Sequence, residues 1–132
     1  MSSYLRIYVK SKDNKYNLLC SFSRNNNIYQ VFYESNNIAY AGNEDIYTLM
    51  DEDFFNNLYN NLNEDIIRTK KIIIEYEKYT KEDKEFIQEL IGYKDYLEEL
   101  NQTKNYIDIF KIISEDASLK ISDFTKIYCN IV

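Results

Sequence analysis

Five side chains near the start of the sequence have the chemistry of a binding site: Arg6, Tyr8, Ser21, Ser23 and Arg24. Arg6 and Arg24 are two of only three arginines in the 132-residue chain. A guanidinium fork suits phosphate or carboxylate, and hydroxyls and tyrosine rings could complete a nucleotide-like pocket. The competing structural reading is that Arg6 lies over Tyr8 or pairs with an acid. Ser23 would then cap a helix and Arg24 would be solvated.

A second group is acidic. Glu44-Asp45, Asp51-Glu52-Asp53, Glu64-Asp65 and Glu82-Asp83 are runs of carboxylates. Several stand where helices should begin, and negative charge is favoured at that end of the helix dipole. Asp51-x-Asp53 has no surrounding pattern of a calcium loop, so no metal site is expected. The charge is uneven. Arg6, Lys10, Lys12, Lys15 and Arg24 against Asp13, Glu34, Glu44 and Asp45 leave the first fifty residues at +1, and the remainder carries −7 of the net −6. Such a surface repels nucleic acid and attracts basic partners.

Absences narrow the chemistry. With no histidine, no Ser-His or Cys-His nucleophilic pair exists. Two cysteines cannot make a four-thiolate zinc site. Two glycines cannot build a phosphate-cradling loop. The chain is therefore expected to be no enzyme and to use no cofactor, with a carboxylate-only hydrolase or nuclease as the reading left open. No segment has the ~20 apolar residues of a membrane span, and no signal peptide is evident, so a cytoplasmic location in a bacterial host cell is expected. Cys20 and Cys129 read as two buried thiols, with a Cys20–Cys129 bridge as the alternative.

These groups need elements to position them. Tyr4–Lys10 and Tyr16–Ser23 both alternate apolar and polar residues, as strands do. Asp13-Asn14 suits a tight turn, which predicts Val9 opposite Leu18, Ile7 opposite Cys20 and Leu5 opposite Phe22. The same register sets Arg6 opposite Ser21, Tyr8 opposite Leu19 and Tyr4 opposite Ser23. Residues 24–34 read as a short helix capped by Ser23, with a third strand as the alternative. Residues 35–50 form a connector in which Ile38–Ala41 could add an edge strand. From Asp51 the spacing turns helical, with Phe55, Leu58, Leu62, Ile66, Ile73 and Tyr76 on one stripe. Asn60, Asn61 and Asn63 suggest a break there. Thr80-Lys81-Glu82-Asp83 resembles a helix start. The following helix carries Phe86, Ile87, Leu90, Tyr93, Leu97 and Leu100, and would run to Ile113 with a kink near residues 101–103. Ile127, Cys129 and Ile131 alternate in a final strand.

The fold class expected is α+β: a small antiparallel sheet of about three strands, from the N-terminal hairpin and C-terminal strand, packed with a long antiparallel helical hairpin. It forms one domain, residues 1–132, with the hairpin, short helix and connector in 1–50, the helical hairpin in 51–113 and the last strand in 124–132. Ile72, Ile73 and Ile74 exceed what one stripe needs, which makes a homodimer an open reading. Tyr4, Tyr8, Tyr29, Tyr33, Tyr40 and Tyr47 read either as core with a polar handle or as interface anchors.

Ser21-Phe22-Ser23-Arg24 and Ile28-Tyr29-Gln30-x-Phe32, preceded by Tyr4–Val9, resemble small phage and prophage proteins of low-GC bacteria over about the first quarter of the chain. The resemblance implies context: small acidic proteins of mobile elements are similar to anti-CRISPRs and other counter-defence inhibitors. The leading expectation is a non-enzymatic inhibitor of a host defence nuclease, with Glu82, Asp83, Glu85, Glu89, Tyr93 and Tyr96 meeting a basic nucleic-acid-binding surface. It predicts no direct nucleic-acid binding. The alternative is a binder, or sponge, for a nucleotide-type signal at Arg6, Tyr8, Ser21, Ser23 and Arg24.

Overall fold

The computed structural model describes residues 3–42, 46–79, 83–115 and 124–132, apart from the side chains of residues 124 and 125. Strands β1 (Tyr4–Ser11) and β2 (Tyr16–Ser23) lead into helix α1 (Asn27–Ser35). A two-residue strand β3 (Thr48–Leu49) precedes helices α2 (Glu52–Glu77) and α3 (Lys84–Glu115), and β4 (Phe124–Ile131) closes the chain. The architecture is α+β, with one antiparallel sheet ordered β2-β1-β4-β3. β1 lies at its centre. Tyr4 and Val132 exchange backbone bonds of 2.9 and 3.0 Å at one end of the β1–β4 pair.

The far half of the hairpin has the expected register, Leu5 with Phe22, Arg6 with Ser21 and Ile7 with Cys20. The near half does not. Asn14 has φ 64°, its N–H donates to the Ser11 carbonyl, and the Ser11 N–H donates to Lys15. The loop therefore takes three residues, ending in a left-handed one, instead of two. A bulge between Ile7 and Tyr8 absorbs the difference, so Tyr8 faces Leu18 and Val9 faces Asn17. Leu19 is the extra residue, and the expected pairs Val9–Leu18 and Tyr8–Leu19 are replaced.

Helix α1 settles the choice between helix and strand. Its cap is Asn26 and not Ser23: the Asn26 side chain accepts the Ile28 N–H at 3.1 Å. Capping there puts Ile28, Val31 and Phe32 on the buried side. Helix α2 is unbroken through Asn60–Asn63, because Leu58, Leu62 and Ile66 are all buried and packing outweighs the weak propensity of asparagine. Asp51 caps it, accepting the Phe54 N–H at 2.9 Å. Helix α3 likewise runs without interruption through residues 101–103. In the connector, Tyr40 makes one parallel bridge to Ile131, and the edge strand proper is β3.

Leu5, Ile7, Phe32, Phe55, Leu58, Leu62, Leu100, Ile107, Ile127 and Cys129 are fully buried and form the centre of the core. Burial of each is worth roughly 1.5–3 kcal/mol for a large aliphatic or aromatic side chain. Both cysteines are free thiols. Cys20 and Cys129 flank Ile7 from opposite sides, two strands apart. That separation is about 10 Å, beyond disulfide reach.

Candidate functional site

Two surfaces gather the side chains singled out in the sequence. The first is the outer face of the sheet. Arg6 stands in register between Ser21 on β2 and Asn130 on β4, with Tyr8 and Tyr128 paired in the next row. Tyr47 closes over this row. Its ring lies 3.6 Å from Tyr16 in a parallel stack and 4.9 Å from Tyr8 edge-on. Lys10 sits 5.6 Å from the Tyr16 ring and 5.9 Å from Tyr128. Tyr8 is consequently buried and acts as sheet packing. Ser23 pairs with Tyr4, one row further along than Arg6. Arg24 lies beyond the end of β2, its N–H bonded to the Ser3 carbonyl. Of the five residues of the nucleotide-pocket reading, Arg6 and Ser21 are cross-strand partners, Ser23 stands one row away, Tyr8 is buried and Arg24 lies past the strand end.

The three asparagines after Arg24 have structural work. Asn26 caps α1, and the Asn27 amide donates to Glu99 of α3 at 2.5 Å. Asn25, Asn26 and Asn27 line an open cleft of about 240 Å³ with Glu99, Gln102, Thr103 and Tyr106. No pattern in the sequence points to this cleft, because α3 supplies its other wall.

The second surface is a two-helix arm. Toward the tip, the last buried residue of α2 is Ile73 and the first of α3 is Leu100. The sixteen α3 residues before Leu100 contain no fully buried side chain, a length of about 24 Å at 1.5 Å per residue. The arm holds together through aromatic and polar contacts. Tyr76 stacks on Phe86 at 4.8 Å, and its ring lies 5.3 Å from Tyr93. The Tyr76 hydroxyl donates to Glu89 at 2.7 Å, and Lys94 pairs with Glu77 at 3.1 Å. The bond to Glu89, with its nearby charge, raises the Tyr76 phenol to about 12. Nearer the core, Tyr59 donates to Asp108, and burial together with that carboxylate raises its phenol as well.

Helix phase sorts the arm into faces. Side chains advance about 100° per residue. Ile66, Ile73 and Tyr76 of α2 and Phe86, Leu90, Tyr93, Leu97 and Leu100 of α3 occupy the side between the helices. In an antiparallel pair, residues just before these positions share one face of the arm, and residues just after them share the other. The first face carries Asp65, Glu85, Glu89, Tyr96 and Glu99, with Ile72, Arg68 and Gly92 among them. The environment of Tyr96 bears this out for Asp65, Arg68 and Glu99. Its phenol is raised by burial first, then by Asp65, Glu34 and Glu99, against an opposing effect of Arg68. The second face carries Ile67, Ile74, Ile87 and Ile91, all about half exposed.

Of the partner-binding residues expected from sequence, Glu85, Glu89 and Tyr96 fall on the acidic face. Tyr93 packs between the helices. Asp83 caps α3, accepting the Glu85 N–H at 3.0 Å while its carbonyl accepts Ile87. Glu82, with most of the proposed helix start at residues 80–83, lies outside the described residues. Asp65 and Glu99 belong to the acidic hairpin expected from sequence but were not among the named partner-binding residues, and Glu34 of α1 was not expected there; the phase of two continuous helices brings Asp65 and Glu99 beside Tyr96. Among the described residues, no cluster of three or more His, Cys, Asp or Glu side chains is placed to hold a metal ion, and no helix is long and apolar enough to cross a membrane.

No protein-family model, curated protein or solved structure matches the chain.

Proposed function

We propose that the chain is a non-enzymatic binding protein whose acidic arm face docks on the basic, nucleic-acid-binding surface of a host defence protein, a nuclease in the leading case. It acts in the bacterial cytoplasm as a phage-derived inhibitor of anti-CRISPR type. The observation that carries this reading is the side of the projecting arm on which Asp65 and Glu99 stand near exposed Tyr96, with Glu89 and Glu85 further along the same side toward the tip. Four carboxylates on a rigid helical pair give competition by charge and shape, and tyrosine adds an interface anchor. Arg68 and the Asn27 bond to Glu99 fix the base of this face and leave the tip acids facing solvent.

The nucleotide-pocket reading has less support, because Tyr8 is buried and Arg24 lies past the end of β2, its backbone bonded to Ser3. The test is the amide set D65N, E85Q, E89Q and E99Q, which retains hydrogen-bond acceptors while removing charge. Inhibition should fall, and its remaining salt dependence should flatten. Full inhibition by the quadruple variant would rule out charge mimicry.

A further inference from the structure

The polar cleft at the base of the arm is separate from the docking proposed above, except that both use Glu99. Its two walls come from distant parts of the chain. Asn25, Asn26 and Asn27 lead into α1, while Glu99, Gln102, Thr103 and Tyr106 lie on one side of α3. Internal bonds hold the walls in place. Asn26 caps α1, the Asn27 amide donates to Glu99 at 2.5 Å, and the Thr103 hydroxyl donates to the Glu99 carbonyl at 2.9 Å. The opening of about 240 Å³ is therefore preformed.

Its charge narrows the ligand. Among the lining residues only Glu99 is charged; its chain neighbour Glu98, and Arg24 next to Asn25, do not line the cleft. A phosphate or carboxylate would meet a carboxylate and no cation. A metal ion would find one carboxylate, with an oxygen already accepting from Asn27. A neutral, polar ligand remains.

The hydrogen-bonding groups narrow it further. The Asn25 and Gln102 amides and the Tyr106 hydroxyl have no partner among the described residues. The internal bonds leave Asn26 Nδ2, Asn27 Oδ1 and Glu99 Oε1 unused. Donors and acceptors therefore stand side by side. A hydroxyl donates and accepts at once, so a ring bearing several hydroxyls satisfies both kinds together. Tyr106 is 43 % exposed, with its ring 5.1 Å from Phe22, and adds an aromatic wall on which the carbon face of such a ring can pack.

We infer that this cleft binds one ring of a neutral saccharide, its hydroxyls held by Asn25, Asn27, Gln102 and Glu99 and its carbon face against Tyr106. A neutral purine base would stack on Tyr106 but has few groups that both donate and accept. An organic cation would use Glu99 and Tyr106 and leave the amide donors without acceptors. The site stands whether or not the docking partner is correct, because Asn25, Gln102 and Tyr106 lie outside the acidic face.

Heteronuclear NMR of the full chain tests the inference, because it reads the side-chain amides of Asn25, Asn26, Asn27 and Gln102 directly. The probes are glucose, galactose, mannose and N-acetylglucosamine, with mannitol, adenosine and spermidine as contrasts. A ligand of this size in an open cleft implies a roughly millimolar dissociation constant, so each probe with the solubility for it is taken to about 100 mM. The expected result is a saturable shift of these amides with at least one sugar and with none of the contrasts. The double variant N25A/Q102A, changed at two exposed positions, should weaken that binding roughly tenfold, read at the Asn27 amide, with the rest of the spectrum unchanged. No saturable shift with any of the four sugars overturns the inference. So does sugar binding that N25A/Q102A leaves intact, or saturation by mannitol, adenosine or spermidine in place of the sugars.

Discussion

Gly92→Ala tests the description of the arm at a single atom. Gly92 lies within α3 on the acidic face, and a Cβ built there meets nothing within 4 Å. Its backbone is helical, so alanine adopts it without strain. The gain has one origin: glycine loses more backbone freedom than alanine on entering a helix, by about 0.8–1.0 kcal/mol. No packing contribution adds to this or subtracts from it. Urea denaturation should therefore show a midpoint shift equivalent to about 1 kcal/mol with an unchanged slope. In heat, the same gain raises the midpoint by roughly 3–5 °C for a domain of this size. Where the arm opens before the rest of the domain, the gain appears in hydrogen exchange, as roughly fivefold slower exchange of amides in residues 84–99. A variant equal to or less stable than wild type by both measures would contradict an exposed, helical Gly92. It would mean that this stretch of α3 is not helical, or that something covers the acidic face in the free protein.

The remaining predictions concern the core, the caps and the titrating groups. Ile107 is fully buried, so Ile107→Ala should cost about 2–5 kcal/mol in denaturant unfolding. Asn26→Ala should cost about 1 kcal/mol through the lost α1 cap, while Ser23→Ala should change stability little. Burial raises the Cys20 thiol to about 11 and Cys129 further still. A thiol reagent at pH 8 should therefore label Cys20 slowly and Cys129 only after unfolding. The Tyr76 phenol is raised to about 12 by its bond to Glu89. A raised phenol favours the neutral form in the folded state, so this stabilisation is complete below pH 10 and lost between pH 10 and 12. Tyr76→Phe should flatten that part of the stability–pH curve.

How much of this was legible in the sequence differs from element to element. Strict alternation in Tyr4–Lys10 and Tyr16–Ser23 gave the hairpin and half of its register. The turn length was not legible, because Lys12-Asp13-Asn14 suits a two- or a three-residue loop, and only the positive φ of Asn14 decides between them. The cap of α1 was placed three residues early for a similar reason: Ser23, expected from the sequence, and Asn26 are both good capping residues, and burial of Ile28 and Phe32 goes with Asn26. Asn60–Asn63 suggested a break by local preference, and Leu58, Leu62 and Ile66 overrode it through the core. The arm's two faces were the least visible feature. Glu85 and Glu89 were identifiable as acids, but their company with Asp65 and Glu99 depends on the phase of two unbroken helices and on their antiparallel pairing.

The most direct measurement of the central claim is a paired capture experiment. The tagged wild-type chain and its D65N/E85Q/E89Q/E99Q variant are each exposed to nuclease-treated host lysate, and the retained proteins are identified and then challenged with added nucleic acid. The wild type should retain a nucleic-acid-binding protein, nucleic acid and salt should each release it, and the variant should retain little of it. Equal recovery by both chains, or a retained protein that nucleic acid does not displace, would contradict the account.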